Sequence, residues 1–250
     1  MTISTDGNKE IARSEDELEK DTSSPFVDNG KITIGSQLAA RLREAIVSGE
    51  LPAGSKINLD RTKEMFNVSL SPLREALARL IPDGLVEFHD NRGYRVSAVS
   101  LENLAEITSL REEVEVYALG EAIRVGTAEW EGNVMRALHR LNRAERDATR
   151  PETFEIWERL HQEFHLTIIS GCQKPLLVNF CAMLLNLNDR YRRIFLKDTS
   201  GDRNVNQEHS EIAQGAVARD ADYACEKLRV HISRTGGNLF RHLSEIGKLE

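Results

Sequence analysis

Residues 100–250 carry apolar side chains that recur three and four positions apart, and only Pro151 and Pro175 interrupt them. Leu101, Leu104, Ile107, Leu110, Val114 and Ala118 mark one long amphipathic helix, and Val134, Leu138 and Leu141 mark another. Further helices are expected over residues 152–170, 176–196, 205–218 and 221–243. No alternating strand pattern is present there, so the apolar faces must cover one another in an all-α helical bundle.

Residues 31–99 follow a different pattern, punctuated by Gly49, Pro52, Gly54, Pro72, Gly84 and Gly93. Leu38, Leu42, Ala45 and Ile46 define a helix that ends near Ser48, and residues 60–66 a short second one. Asn67 tolerates a left-handed turn, and Ser71 followed by Pro72 reads as the cap and first residue of a third helix. Leu73, Ala76, Leu77 and Leu80 share its inner face. Residues 85–88 and 94–97 read as strands around a turn at 89–93. Three helices and a hairpin make a winged helix-turn-helix, so the chain is mainly α with a boundary near Ser100.

Charge supports this partition. The 250 residues include 40 acidic and 33 basic side chains, a net charge of -7, which excludes a protein that coats nucleic acid by bulk positive charge. Residues 1–30 hold eight acidic and three basic side chains and few apolar ones, and are expected to form a disordered acidic tail. Residues 31–99 carry net +2 and residues 100–250 net -4. Cys172, Cys181 and Cys225 show no CxxC spacing, which argues against a disulfide framework and for a reducing cytoplasm. No apolar run approaches the roughly 18 residues that cross a bilayer, and the amino terminus lacks a signal core, so neither membrane insertion nor secretion is expected.

A helix-turn-helix can set the amino end of its third helix in a DNA major groove. That end carries Ser69, Ser71 and Arg74, and the hairpin tip Asn91-Arg92-Gly93-Tyr94 offers a guanidinium to a minor groove or a phosphate. The segments Ile46-Val47-Ser48-Gly49-Glu50-Leu51-Pro52-Ala53-Gly54, Ser71-Pro72-Leu73-Arg74-Glu75-Ala76-Leu77, Asp83-Gly84-Leu85-Val86 and Asn91-Arg92-Gly93-Tyr94 resemble the GntR family of bacterial transcription regulators. The helical continuation resembles the FadR-type branch, which carries an FCD effector domain. The resemblance implies a homodimer on a palindromic operator. Two positions depart from it: the family often has Arg at Asp60 and at Leu70. Arg61 can replace the first contact, while Leu70 implies a different operator sequence.

Of seven histidines, four lie on apolar helix faces. Trp157, His161, His165, Ile168 and Cys172 share one face; His209 precedes Ile212 and Ala216, and His231 follows Ala224 and Leu228. Any one of them can be a core histidine hydrogen-bonded to Asn, Glu or backbone. Four on three helices form a nitrogen-rich site for a divalent metal among Zn, Ni, Cu and Fe, with Zn or Ni foremost. FCD domains commonly hold a metal by an Asp and three His; His165, His209 and His231 match those three, while His161 stands at the Asp position. His139 and His242 sit among arginines on outer faces, and His89 lies in the hairpin.

Arg111, and Arg190 and Arg193 in the run Asp189-Arg190-Tyr191-Arg192-Arg193, are the candidates for gripping a carboxylate beside the metal. By resemblance the effector is a small organic acid, such as a dicarboxylate, that releases a repressor from its operator. The alternatives are a helical metalloenzyme and a metal-binding protein without DNA. Zinc proteases read His-Glu-x-x-His, whereas this chain reads His161-Gln162-Glu163-Phe164-His165, which turns the carboxylate about 100° away. Tyr117, Phe154, Trp157, Phe164, Phe180 and Tyr191 are expected in the core rather than as a ligand-stacking set.

Overall fold

The computed structural model describes residues 34–147, 150–195 and 204–246; the expected acidic tail lies outside them. The first three helices are α1 (Ile34–Val47), α2 (Leu59–Phe66) and α3 (Leu70–Leu80), followed by strands β1 (Val86–His89) and β2 (Gly93–Val96). Asn58 caps α2, its side-chain oxygen accepting from the backbone of Asp60 and Arg61 at 3.0 and 3.1 Å. Asn67 ends the helix in the left-handed region, φ 52° and ψ 55°, so the chain reverses without a glycine.

The start of α3 corrects the sequence reading. Its cap is Ser69, whose carbonyl receives the Leu73 amide at 3.3 Å, which makes Ser71 the second and Pro72 the third helical residue. The first amides of a helix have no intrahelical acceptor, so proline loses nothing anywhere in that turn. β1 and β2 pair antiparallel from Val86 opposite Val96 to His89 opposite Gly93. Asn91 and Gly93 take positive φ (61° and 79°), which closes the tight turn. Leu38, Leu42, Ile46, Leu73, Leu77, Leu80, Leu85 and Val96 form one core beneath these elements.

The helical part contains α4 (Leu101–Val125), α5 (Ala128–Arg143), α6 (Pro151–Ser170), α7 (Pro175–Phe195), α8 (Val205–Val217) and α9 (Ala221–Ile246). Ser100 caps α4 by accepting the Asn103 amide, and Thr127 caps α5 by accepting that of Trp130. The long α4 runs between α9 and α7, with α5 packed on α6 and α8. At the α4 and α9 crossing, a Cβ on Gly236 would sit 2.5 Å from the Thr108 methyl, so only glycine permits that approach. Phe154, Trp157, Phe164 and Tyr191 are buried as expected, whereas Tyr117 (55%) and Phe180 (39%) are exposed.

Both parts pack together through α7. Leu187 packs on the winged-helix core, Arg190 donates to the Ser97 carbonyl, and Arg193 pairs with Glu44 on α1 at 2.9 Å and with Glu155 on α6. No described helix is long and apolar enough to cross a membrane.

Candidate metal centre and DNA-reading surface

The i, i+4 spacing on α6 puts His161 and His165 one turn apart on its inner face, with ring centroids 4.6 Å apart. α8 brings His209 and α9 brings His231 to the same point, 4.7 Å from each other. One nitrogen from each of the four rings lies within 4.8 Å of the others, and all four side chains are buried. Burial pushes the His161 imidazole well below its ordinary 6.5, reinforced by the Arg192 guanidinium and the other three rings. His165 is also lowered by burial, against the opposing pull of Glu115. The His161 and His165 rings are therefore neutral, which is the form that donates a lone pair to a metal.

The surroundings fit such an ion. His165 is fully enclosed, its Nε2 has no hydrogen-bond partner among the described residues, and its Nδ1 lies 3.6 Å from Glu115. A buried imidazole left in that state costs stability unless something accepts its lone pair. His231 Nδ1 lies 2.8 Å from Glu208, a carboxylate that holds the proton on that side and turns Nε2 toward the cluster. Imidazoles backed by carboxylates suit a borderline divalent ion.

Glu158, His161 and Asp189 form a second convergence of donor atoms. It already holds a cation, the Arg192 guanidinium, whose Nη2 donates to Glu158 at 2.9 Å and whose Nη1 lies 2.7 and 2.9 Å from the two His161 nitrogens. Burial pushes Asp189 up to about 7 despite the attraction of Arg192. On the far side of this group, Arg146 lies over the Trp157 ring at 4.7 Å and Arg192 over the same ring at 5.3 Å.

The structure redistributes the arginines proposed for a carboxylate. Arg111 is buried beside the cluster, but its Nε donates to Glu115 at 2.5 Å. Arg190 and Arg193 point to the winged helix rather than to the histidines. Helix geometry is the reason: at 100° per residue, Arg190 lies about 200° from Arg192. Arg192, and not its neighbours, reaches the cluster. Sequence reasoning passed over Glu115, Glu158 and Glu208, although Glu115 stands four residues after Arg111, and Glu158 three before His161. Glu163 pairs outward with Arg140, away from the histidines. His139 is exposed, His242 lies 3.9 Å from Glu245, and His89 pairs with Glu87 at 2.9 Å.

On the winged helix, Arg61, Ser69, Ser71 and Arg74 are exposed around the turn into α3. Asn91 and Arg92 are exposed at the hairpin tip, and Gly93 is half-buried. Asp60 is engaged by Lys63 at 2.9 Å, which offsets the charge it would turn toward a phosphate. Lys56 and Arg95, not foreseen, line a groove of about 400 Å³ with Arg92 beside the wing. Leu70 is exposed in the turn, a methyl-rich side chain where the family often has a cation.

Comparison with known proteins agrees with both halves. Residues 34–96 match the gntR family of bacterial regulatory proteins and residues 106–234 match the FCD domain. The chain is 35% identical over 194 residues to the uncharacterized HTH-type transcriptional regulator BphR of Paraburkholderia xenovorans, covering 77% of this chain and 79% of that protein. It is 29% identical over 195 residues to the HTH-type transcriptional repressor GlaR of Escherichia coli, covering 76% and 89%. Among solved structures, McbR/YncC of Escherichia coli superposes with a TM-score of 0.72 at 19% identity, covering 84% of this chain and 99% of that one, a likeness of fold. With a DNA-reading winged helix joined to an FCD bundle around a buried histidine cluster, this chain belongs to the GntR family as a DNA-binding transcriptional regulator, not an enzyme.

Proposed function

We propose that the protein is a homodimeric repressor of a palindromic operator, released when a small organic acid binds beside a metal in its helical domain. In this reading residues 31–99 read DNA and residues 100–250 hold metal, effector and dimer partner. The observation that carries it is the convergence of four buried imidazoles next to an arginine. The donor set favours Zn or Ni. Arg192 and Arg146, flanking Trp157, replace Arg190 and Arg193 as the groups that meet the acid's carboxylate, with Arg111 behind. Titration of the metal-loaded protein with mono- and dicarboxylates is expected to reveal one that binds more tightly than about 1 mM, roughly -4 kcal/mol. If none reaches that affinity, the acid effector is rejected.

The DNA contacts assigned are Arg61, Ser69, Ser71, Arg74, Asn91, Arg92 and Gly93. Mapping of DNA bound across the genome supplies the operator for a direct test. On it, Arg74→Ala is expected to lose about 10- to 100-fold in affinity and to relax base preference, as when a base-edge contact is removed. Arg92→Ala is expected to weaken all sequences alike and to lower the slope of affinity against salt by about one. Unchanged binding by both variants would remove this surface from the assignment.

A further inference from the structure

Six consecutive residues of α7, Asn188 to Arg193, are buried. A helix turns once in 3.6 residues, so this stretch is enclosed on every side, by α6 and the histidines on one face and by α1 and the linker 97–100 on the others. Buried charges in such a place need partners. Arg190 has the Ser97 carbonyl, and Arg193 has Glu44 and Glu155. The Tyr191 hydroxyl meets the Ser100 carbonyl at 3.1 Å and Asn103 at 2.9 Å. Arg192 has Glu158 and His161. Asp189 is the exception: its Oδ1 is buried with no hydrogen-bond partner among the described residues.

Arg192 therefore has two sets of acceptors within reach, since oxygens of Glu158 and Asp189 and a nitrogen of His161 all lie within 4.8 Å of one another. A neutral imidazole has one lone pair to give. When His161 gives it to an ion, none remains for Arg192, and the two positive charges repel. We propose that Arg192 is a switch arm that competes with a divalent ion for His161 and, when displaced, pairs with Asp189. Asp189 adjoins Arg190 and lies one turn from Arg193, the residues that hold the linker and α1. Occupancy of the histidine cluster is thus passed along α7 to the DNA-reading part before any organic acid binds. This rests on the reading of the four histidines as a metal site.

The test uses the full chain freed of metal with a chelator. Zn²⁺ and Ni²⁺ are titrated calorimetrically, and amide hydrogen exchange is followed at residues 40–47 and 97–103. In the wild type, saturation with ion is expected to change exchange in both segments by about threefold or more. The combined variant Arg192→Met with Glu158→Gln removes arm and counter-charge together. It is expected to bind ion about tenfold more tightly, as a competing charged hydrogen bond is lost, and to show no exchange response. The near-isosteric Asp189→Asn is expected to bind ion within about threefold of wild type with a smaller exchange response, and decides the matter alone if the double variant does not fold. Ion binding by the wild type without an exchange response, or a full response in Asp189→Asn, overturns the switch and leaves the metal site standing. Failure of the wild type to bind either ion overturns the metal site and the switch with it.

Discussion

Zn²⁺ or Ni²⁺ added to metal-free protein is expected to raise its melting temperature by about 10 °C, and His165→Ala to abolish the rise. A ligand that binds only the folded chain stabilises it by about 4 kcal/mol at a thousand times its dissociation constant, and each kcal/mol is worth about 2–4 °C in a chain of this size. His165 suits the substitution because neither ring nitrogen has a hydrogen-bond partner in the described structure. Without metal, its replacement removes packing and the 3.6 Å approach of Nδ1 to Glu115, which Arg111 still neutralises. Elemental analysis should show a matching loss of bound metal for His165→Ala, and for His209→Ala and His231→Ala. Wild-type metal content in these variants would remove the histidines from the site.

Acid is expected to destabilise the metal-free protein. The folded values of His161 and His165 lie below the ordinary 6.5, so folding excludes protons that the unfolded chain takes up. Their contribution to stability is complete above pH 6.5 and is lost as pH falls below it toward the folded values. Urea unfolding of the metal-free protein at successive pH values should show stability declining through that window. A flat profile would contradict neutral burial of these rings.

Arg111→Met alone is expected to cost about 3–5 kcal/mol, one of the larger losses available to a single substitution in this chain. The guanidinium and Glu115 are both almost wholly buried, joined at 2.5 and 3.3 Å, and the variant would leave a carboxylate charged and enclosed. Burial alone would raise the Glu115 carboxyl; Arg111, with help from His165, more than reverses this and holds it below the ordinary 4.5. That stabilisation is present above the unfolded value and is lost as pH falls through the folded one. Adding Glu115→Gln to Arg111→Met should recover most of the loss, because the buried charge goes with its partner. Chemical denaturation of the three forms measures this directly. A loss under about 1 kcal/mol for Arg111→Met would mean that Glu115 finds water or another cation.

Much of this arrangement is legible along the chain. The period of apolar residues locates every described helix, and the ends read for α6, α7, α8 and α9 fall within a few positions, since a helix end depends on the few residues around it. Asn67 and the hairpin turn were readable because a positive φ selects particular side chains. The four histidines were readable as well, because each marks the inner face of its own helix. Pro72 misled by two positions, because no amide in the first turn has an intrahelical acceptor for proline to forfeit. The arginine run misled further: Arg190, Arg192 and Arg193 are chemically alike in sequence, and their roles diverge because successive residues leave a helix 100° apart toward different neighbours.

Local chemistry was thus sufficient for the secondary structure, the winged helix and the inward set of imidazoles, because propensity, capping and face depend on residues within a turn or two. Which charge meets which depended on packing between residues far apart in sequence. The 149-residue separation of Arg193 and Glu44, and the 31 between Arg192 and His161, are closed only when α7 is clamped between α6 and the winged helix. Burial then raises the cost of any unpaired charge, and that cost decides the pairing.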